Sequence, residues 1–446
     1  MSSSHSAILD ALDTCPAIED LAGRLPGSGE KCVLGGAVGS SGVAAVAALH
    51  RESPDRIFVL VAAGPTEAAG VEADVVSLLG DGAAALFPQR ETLPYEAGEA
   101  HLEIGGLRVE AAEAVFSGRC RLLVTTLRAL QERTPVPREL ADLRLPVRVG
   151  TEPGFQALQE ALEERGFERV PLVEEVGQYA VRGGILDLFS FGSPEPVRVE
   201  FWGDEIVSIR RFDILDQRST AELDEVHVLP VDFRLEDRGG ESRSRSLLEL
   251  LPRDALLVSL GPAEWPEGLH RTWEHVERLH EERARAGGDP PGPGSLFLEP
   301  ETARSALEAY GRLVVVEESG GDADLEAEAP PAVERDMDRL QSLLREGGAT
   351  GVRTLILCDN EGQAQRMEEI LGGVEAIPPG TQVAIGSLAG GFTLSRSDPP
   401  VRVLTDHEIF RRSRRLRRER RFRGAVSLER LAQLTPGEYV VHMDHG

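Results

Sequence analysis

The chain has 446 residues, and its 75 Asp and Glu against 48 Lys and Arg give a formal net charge of −27 at pH 7. An acidic surface of that size excludes a general nucleic-acid coat protein, and no apolar run approaches the roughly 18–20 residues that a membrane-spanning helix requires. Four scattered cysteines (Cys15, Cys32, Cys120, Cys358) form no CxxC pair, which argues against a zinc cluster or a disulfide framework.

With no basic-then-apolar leader at its start, the chain is expected to be soluble and cytoplasmic. Its length predicts about three domains rather than one. Residues 1–125 alternate strand-like runs (Lys31–Leu34, Arg56–Ala62, Arg121–Thr125) with helix-like runs (Val43–His50, Thr66–Leu79), the rhythm of a parallel α/β sheet. From about residue 135 the pattern changes. A helix is expected over Thr151–Gly166, opened by Thr151 and Pro153, closed by Gly166, with Phe155, Leu158 and Leu162 on one face. In PVRVEFWGDEIVSIRRF, Val197, Val199 and Phe201 alternate with Arg198, Glu200 and Trp202, and Gly203-Asp204 suits a two-residue turn. An antiparallel hairpin on a small α+β domain follows.

Residues 218–325 carry few clear signals, broken by Pro/Gly runs such as GGDPPGPG (287–294), and GGDADLEAEAPP (320–331) has the composition of an acidic, flexible linker. Beyond it, Met337, Leu340, Leu343 and Leu344 line one helix face, Thr354–Cys358 is a strand and Gln363–Leu371 a second helix, so a further small α/β domain is expected to end near residue 410. Arg411–Arg423 places nine arginines in thirteen positions and carries +8, leaving −35 on the remainder. It suits a solvated linker helix, or an electrostatic contact to phosphates or to an acidic face of the same protein through Arg414, Arg415, Arg417 and Arg418. Residues 438–443 look like a first strand with no partner after it, which implies a polypeptide cut inside a domain.

The motif most suggestive of chemistry is LGGAVGSSGVAAVAALH (34–50), a glycine-rich turn between a strand and a helix, where backbone N–H groups can cradle phosphates. Aligning Gly42 with the second glycine of GxxxxGK[ST] puts Val43 where a lysine should reach the β- and γ-phosphates, and Ala44 where a hydroxyl should bind magnesium. Gly39, Gly42, Val43 and Ala44 thus outline a nucleotide loop without its working side chains, and it is expected to be inactive. Asp224-Glu225-Val226-His227 matches DExH literally, but the apolar run of a Walker B strand does not precede it, so the match is read as chance. No HExxH, GxSxG or nucleophilic cysteine context appears, and neither catalytic residues nor a metal site are expected.

Five stretches together carry a resemblance: LPYEAGEAHLEIGGLR (93–108), VTTLRALQERTP (124–135), GQYAVRGGILDLFSFGSPEPVRVEFWGDEIVSIRRFDILDQRS (177–219), LTDHEIF (404–410) and LTPGEYVVHMDHG (434–446). They resemble the N-terminal part of the bacterial transcription-repair coupling factors, whose opening domains are similar to the excision-repair protein UvrB. The resemblance implies a multi-domain α/β chain: a degenerate UvrB-like parallel α/β domain with an inserted antiparallel α+β domain, then a second small α/β domain. The implied segments are 1–125 (domain 1a), 126–217 (domain 2, docking UvrA), 218–325 (domain 1b), 332–410 (domain 3), 411–432 (Arg-rich linker) and 433–446 (the start of an RNA-polymerase-interacting domain).

It further implies a monomeric scaffold without cofactor that recruits UvrA in nucleotide excision repair and helps restrain a translocase motor. That motor, its ATP and magnesium, and the contacts to RNA polymerase and double-stranded DNA would lie beyond residue 446, and no membrane is involved. By register with the UvrB motif, Arg182 and Arg169 fall on UvrA-contacting positions, Arg165 is a further candidate, Ala180 stands where UvrB has another arginine, and Phe189 is expected in the core. The competing readings are a UvrB-like ATPase acting on damaged DNA and a DNA-binding module working through 411–423.

Overall fold

A computed structural model describes residues 3–93, 95–96, 102–136, 143–233, 243–262 and 265–412. Arg414, Arg415, Arg417, Arg418 and the strand expected over 438–443 lie outside the described residues. The described chain falls into two compact units, one formed by 3–136 with 243–412, the other by 143–233.

The first unit is built on a seven-stranded, all-parallel sheet in the order Ala323–Asp324, Lys31–Gly35, Gly311–Val315, Leu256–Leu260, Phe58–Ala62, Leu122–Thr126, Ala84–Phe87. The central strands read as near-continuous apolar runs because both faces are covered: all five residues of Phe58–Ala62 and of Leu122–Thr126 are buried. The strands Leu256–Leu260 and Gly311–Val315 come from the poorly legible segment, yet they insert between Lys31–Gly35 and Phe58–Ala62. The helix Ser41–Glu52 is unusually buried, Val43 to Leu49 without a break. Its alanine-rich surface lets the helices Ser3–Asp13, Pro16–Ala22 and Pro65–Leu79 pack closely around it.

A second sheet in this unit is mixed, in the order Ala327–Glu328, Phe392–Leu394, Val401–Thr405, Arg353–Cys358, Thr381–Ile385. The helix Met337–Thr350 buries Leu340 and Leu344 against it, starting where the Asp336 side chain accepts from the Arg339 N–H and ending at Gly351 in the left-handed region. The apolar helix face is the expected one. The linker is not. Residues 320–331 are ordered as two short edge strands, with Leu325 and Ala327 buried. The acids that gave the segment its flexible composition are what fix it: Asp322 accepts from the Val33 N–H at 2.8 Å, and Asp324 from the N–H groups of Gly320 and Glu326 at 2.7 and 3.0 Å.

The other unit carries a six-stranded sheet in the order Ser219–Leu223, Glu205–Phe212, Val197–Trp202, Ile185–Leu188, Gln178–Arg182, Glu168–Arg169, antiparallel except for its last pair. The expected hairpin is present, with Gly203 at φ 64° in its turn. The helix starts later than expected, at Phe155 rather than Thr151, and runs to Glu164. The residue before it, Gly154, sits at φ 87°, and the Thr151 hydroxyl donates backwards to the Arg148 carbonyl at 2.6 Å, so neither residue is helical. A two-stranded pair, Leu145–Arg148 with Glu225–Val228, carries this unit past residue 217.

Candidate docking surface

The helix Phe155–Glu164 covers one face of the six-stranded sheet. Leu158 and Leu162 are buried, and Phe155 meets Phe201 edge-on with ring centroids 5.0 Å apart. By alternation, Tyr179, Val181, Leu186, Leu188, Val197, Val199 and Ile209 share that face. The opposite face carries Ala180, Arg182, Asp187, Arg198, Glu200, Trp202 and Arg210. At one end it is roofed by Val170, Val173, Val176 and Ile214, which enclose Ala180 and Phe189. At the other end it is open, and Trp202 there is 81% exposed.

The charges on this face differ in how firmly they are held. Arg198 grips Asp187 through two bonds of 2.7 and 2.9 Å and lies 4.6 Å over the Phe212 ring. Hydrogen bonding to Asp187 raises the guanidinium's already high pKa, so this pair is a fixed part of the sheet. Arg210 pairs with Glu200. Arg182 is exposed at the end of its strand and has a 3.4 Å contact to the Pro171 carbonyl.

Register separates the three arginines expected to meet a partner. Arg169 pairs with Tyr179, which puts it on the helix-bearing face, whereas Arg182 alternates with Ala180 on the open one. Arg165 terminates the helix, where its Nη1 donates to the Ala161 carbonyl at 3.1 Å and its own carbonyl accepts from Val231. Beside it Tyr179 donates to Glu163 at 2.6 Å, and burial together with that bond pushes its hydroxyl up to about 12. Arg165 and Arg169 thus lie towards the helix side of the sheet edge, and Arg182 on the other. Phe189 is buried, as expected, and so is Ala180.

Sequence reasoning passed over Trp202 as a site residue. The signal was available: the alternation in Val197–Trp202 places it with Arg198 and Glu200, so a large aromatic stands on the polar side of the hairpin. The DExH match has a structural explanation. Asp224 to His227 runs into the short strand pair, and the hydrogen bond from Arg148 at 2.6 Å holds the Glu225 carboxyl below its usual range.

The glycine-rich turn has the expected strand–loop–helix form. Val43 and Ala44 are 7% and 0% exposed within the main apolar core, so the two positions that would need lysine and hydroxyl face packed side chains. A Cβ at Gly42 would stand 2.9 Å from Val315 Cγ1, and one at Gly39 would stand 2.4 Å from the Gly391 carbonyl.

The family pattern of the UvrB interaction domain matches residues 145–232, the six-stranded sheet with its helix and its two-stranded pair. Transcription-repair-coupling factors from Haemophilus influenzae and Myxococcus xanthus are each 26% identical to this chain, over 439 and 480 residues, covering 83% and 87% of it. That of Mycobacterium bovis is 36% identical over 224 residues, 48% of the chain. The chain is related to the N-terminal part of the transcription-repair-coupling factors. The three alignments cover 38%, 40% and 18% of those relatives, so the chain spans less than half of their length.

The residues that match the UvrB interaction domain coincide with the unit that carries Arg165, Arg169, Arg182 and Trp202. Among the described residues no helix is long and apolar enough to cross a membrane, and no cluster of three or more His, Cys, Asp or Glu is placed to hold a metal ion.

Proposed function

We propose that this chain is a docking scaffold for transcription-coupled nucleotide excision repair, recruiting UvrA through the open end of the six-stranded sheet. The observation that carries the reading is that the UvrB interaction domain ends in an exposed edge where Arg182 and Trp202 share one face. Arginine and tryptophan are the residue types most enriched at binding hot spots, and a guanidinium fork can take a partner carboxylate in two bonds. Arg169 and Arg165 extend the contact around the edge, so UvrA would wrap the strand end rather than lie flat on one face.

In the intact protein the same surface would be covered by another part of the chain until RNA polymerase is engaged, which restrains the double-stranded-DNA translocase motor. ATP and magnesium belong to that motor, and the present chain performs no catalysis. Capture of purified UvrA by this chain, with Arg182→Ala alongside, tests the docking role. Isothermal titration with ATP and magnesium tests the enzymatic alternative, which requires stoichiometric binding.

A further inference from the structure

The glycine-rich loop has lost the groups that would make it bind a nucleotide, yet it keeps two glycines in the left-handed region, Gly36 at φ 65° and Gly39 at φ 57°. Loss of function alone would let those positions drift to other residues. The hydrogen bonds around the loop show what they serve.

Four of the loop's N–H groups, those of Gly36, Ala37, Val38 and Ser40, are bonded to the protein itself. Gly36 and Ala37 donate to the carbonyls of Glu318 and Val316 at 2.9 and 3.0 Å, Val38 donates to the Ser41 hydroxyl at 2.8 Å, and Ser40 donates to the Gly390 carbonyl at 3.1 Å. The last bond is returned, because the Gly390 N–H donates to Ser40 Oγ at 3.0 Å. Ser40 Oγ in turn donates to Asp74 Oδ2 at 2.6 Å, and the same carboxylate accepts from the Ala389 N–H at 3.0 Å. Ser40 and Asp74 are each 1% exposed. One helical turn from Asp74, Ser77 Oγ accepts from the Ser387 N–H at 3.2 Å.

From the opposite side, Glu408 accepts from the Gly391 N–H at 2.8 Å. Backbones approach closely enough that a Cβ on Gly390 would stand 3.1 Å from Gly39 Cα. Gly39 and Gly390 therefore have a reason to remain glycine that has nothing to do with phosphate.

We propose that this former nucleotide loop is a self-docking socket, whose occupant is the 387–391 segment of the same chain. Its function is to fasten the sheet of residues 327–405 to the parallel sheet, all within the first unit. A phosphate and the Gly390 carbonyl are both acceptors and would need the same Ser40 N–H, so occupation by one excludes the other. The buried Asp74 carboxyl places acceptor oxygens where a phosphate site needs donors. The inference stands on these contacts alone and does not depend on UvrA recruitment.

Hydrogen exchange on the full chain reads the socket directly at the amides of Ala389 and Gly390. Both are expected to be protected, and Asp74→Ala should speed exchange at Ala389 by about tenfold or more while leaving the Leu122–Thr126 strand unchanged. Ser40→Ala, a milder change, should act mainly at Gly390, and Asp74→Asn should restore part of the protection because it keeps an acceptor oxygen. Addition of millimolar ATP with magnesium should leave exchange in 36–41 and 387–391 as it was. Unprotected amides in the wild-type chain, amides indifferent to both Ser40→Ala and Asp74→Ala, or displacement of 387–391 by ATP would each overturn the proposal.

Discussion

Arg198 holds Asp187 in a two-pronged ion pair across adjacent strands, with Asp187 only 2% exposed and the guanidinium stacked on Phe212. The pair anchors the middle of the open face, and one strand beyond it Arg182 is exposed at the edge. Two arginines on one face are therefore held differently, and substitution should tell them apart.

Arg198→Ala strands a buried carboxylate without its partner. Loss of one member of such a pair costs about 3 kcal/mol or more. Urea unfolding of the unit should show that loss for Arg198→Ala, while Arg182→Ala stays within about 0.5 kcal/mol of wild type, as exposed substitutions usually do. Equal effects from the two variants would contradict the division between anchor and edge.

Trp202 makes a second distinction. Its ring is 81% exposed, so Trp202→Ala removes little packing and should leave the unfolding midpoint nearly unchanged. Binding to UvrA, measured by calorimetry, should weaken by roughly 1–2 kcal/mol, as truncation of an aromatic anchor does. Undiminished affinity would remove Trp202 from the docking surface.

In the first unit, Arg108 and Glu132 are 1% and 2% exposed and joined at 2.6 Å, with Arg108 also reaching the Pro88 carbonyl and the Thr134 hydroxyl and stacking on Phe87 at 4.3 Å. This is the arginine that closes the LPYE-containing stretch. Arg108→Ala should destabilise the chain by about 2–3 kcal/mol in denaturant, since the buried Glu132 would keep only the partly exposed Arg128, 3.2 Å away, as its counter-charge. A loss below about 1 kcal/mol would show the network to be dispensable.

All four cysteines are buried. Burial raises each thiol above its ordinary value, and Cys358, next to Asp406 and Asp359, is pushed up to about 12. At pH 8 little thiolate exists, so a disulfide-exchange reagent should react slowly with the native chain and rapidly with four thiols once it is unfolded. The folded state keeps the Cys358 proton longer than the unfolded one, so this group's contribution to stability is intact below about pH 9 and is lost as pH rises towards 12. Rapid labelling of a native thiol would contradict the burial.

Local patterns made parts of this architecture legible. Runs such as Phe58–Ala62 announce a strand covered on both faces, and the alternation of Val197, Val199 and Phe201 fixes which side of the hairpin meets the helix. What escaped depends on partners distant in sequence. Leu256–Leu260 and Gly311–Val315 look unremarkable until they are seen paired with Phe58–Ala62 and Lys31–Gly35, strands that precede them by roughly 200 and 280 residues. Asp322 and Asp324 read as linker charge because their targets, Val33, Gly320 and Glu326, are backbone amides without a sequence signature. The Ser40–Gly390 contact spans 350 residues, beyond the reach of any motif. That Val43 stands where a phosphate-binding loop would have lysine was visible from sequence; the bonds that Ser40 and Asp74 make to residues 389–390 were not.

Docking of UvrA on the edge around Arg182 is tested most directly by the affinity of purified UvrA for this chain with and without Arg182→Ala. A folded variant that binds about tenfold more weakly or worse, with a smaller loss for Arg169→Ala, is the expected result. Wild-type affinity in the Arg182→Ala variant would contradict it.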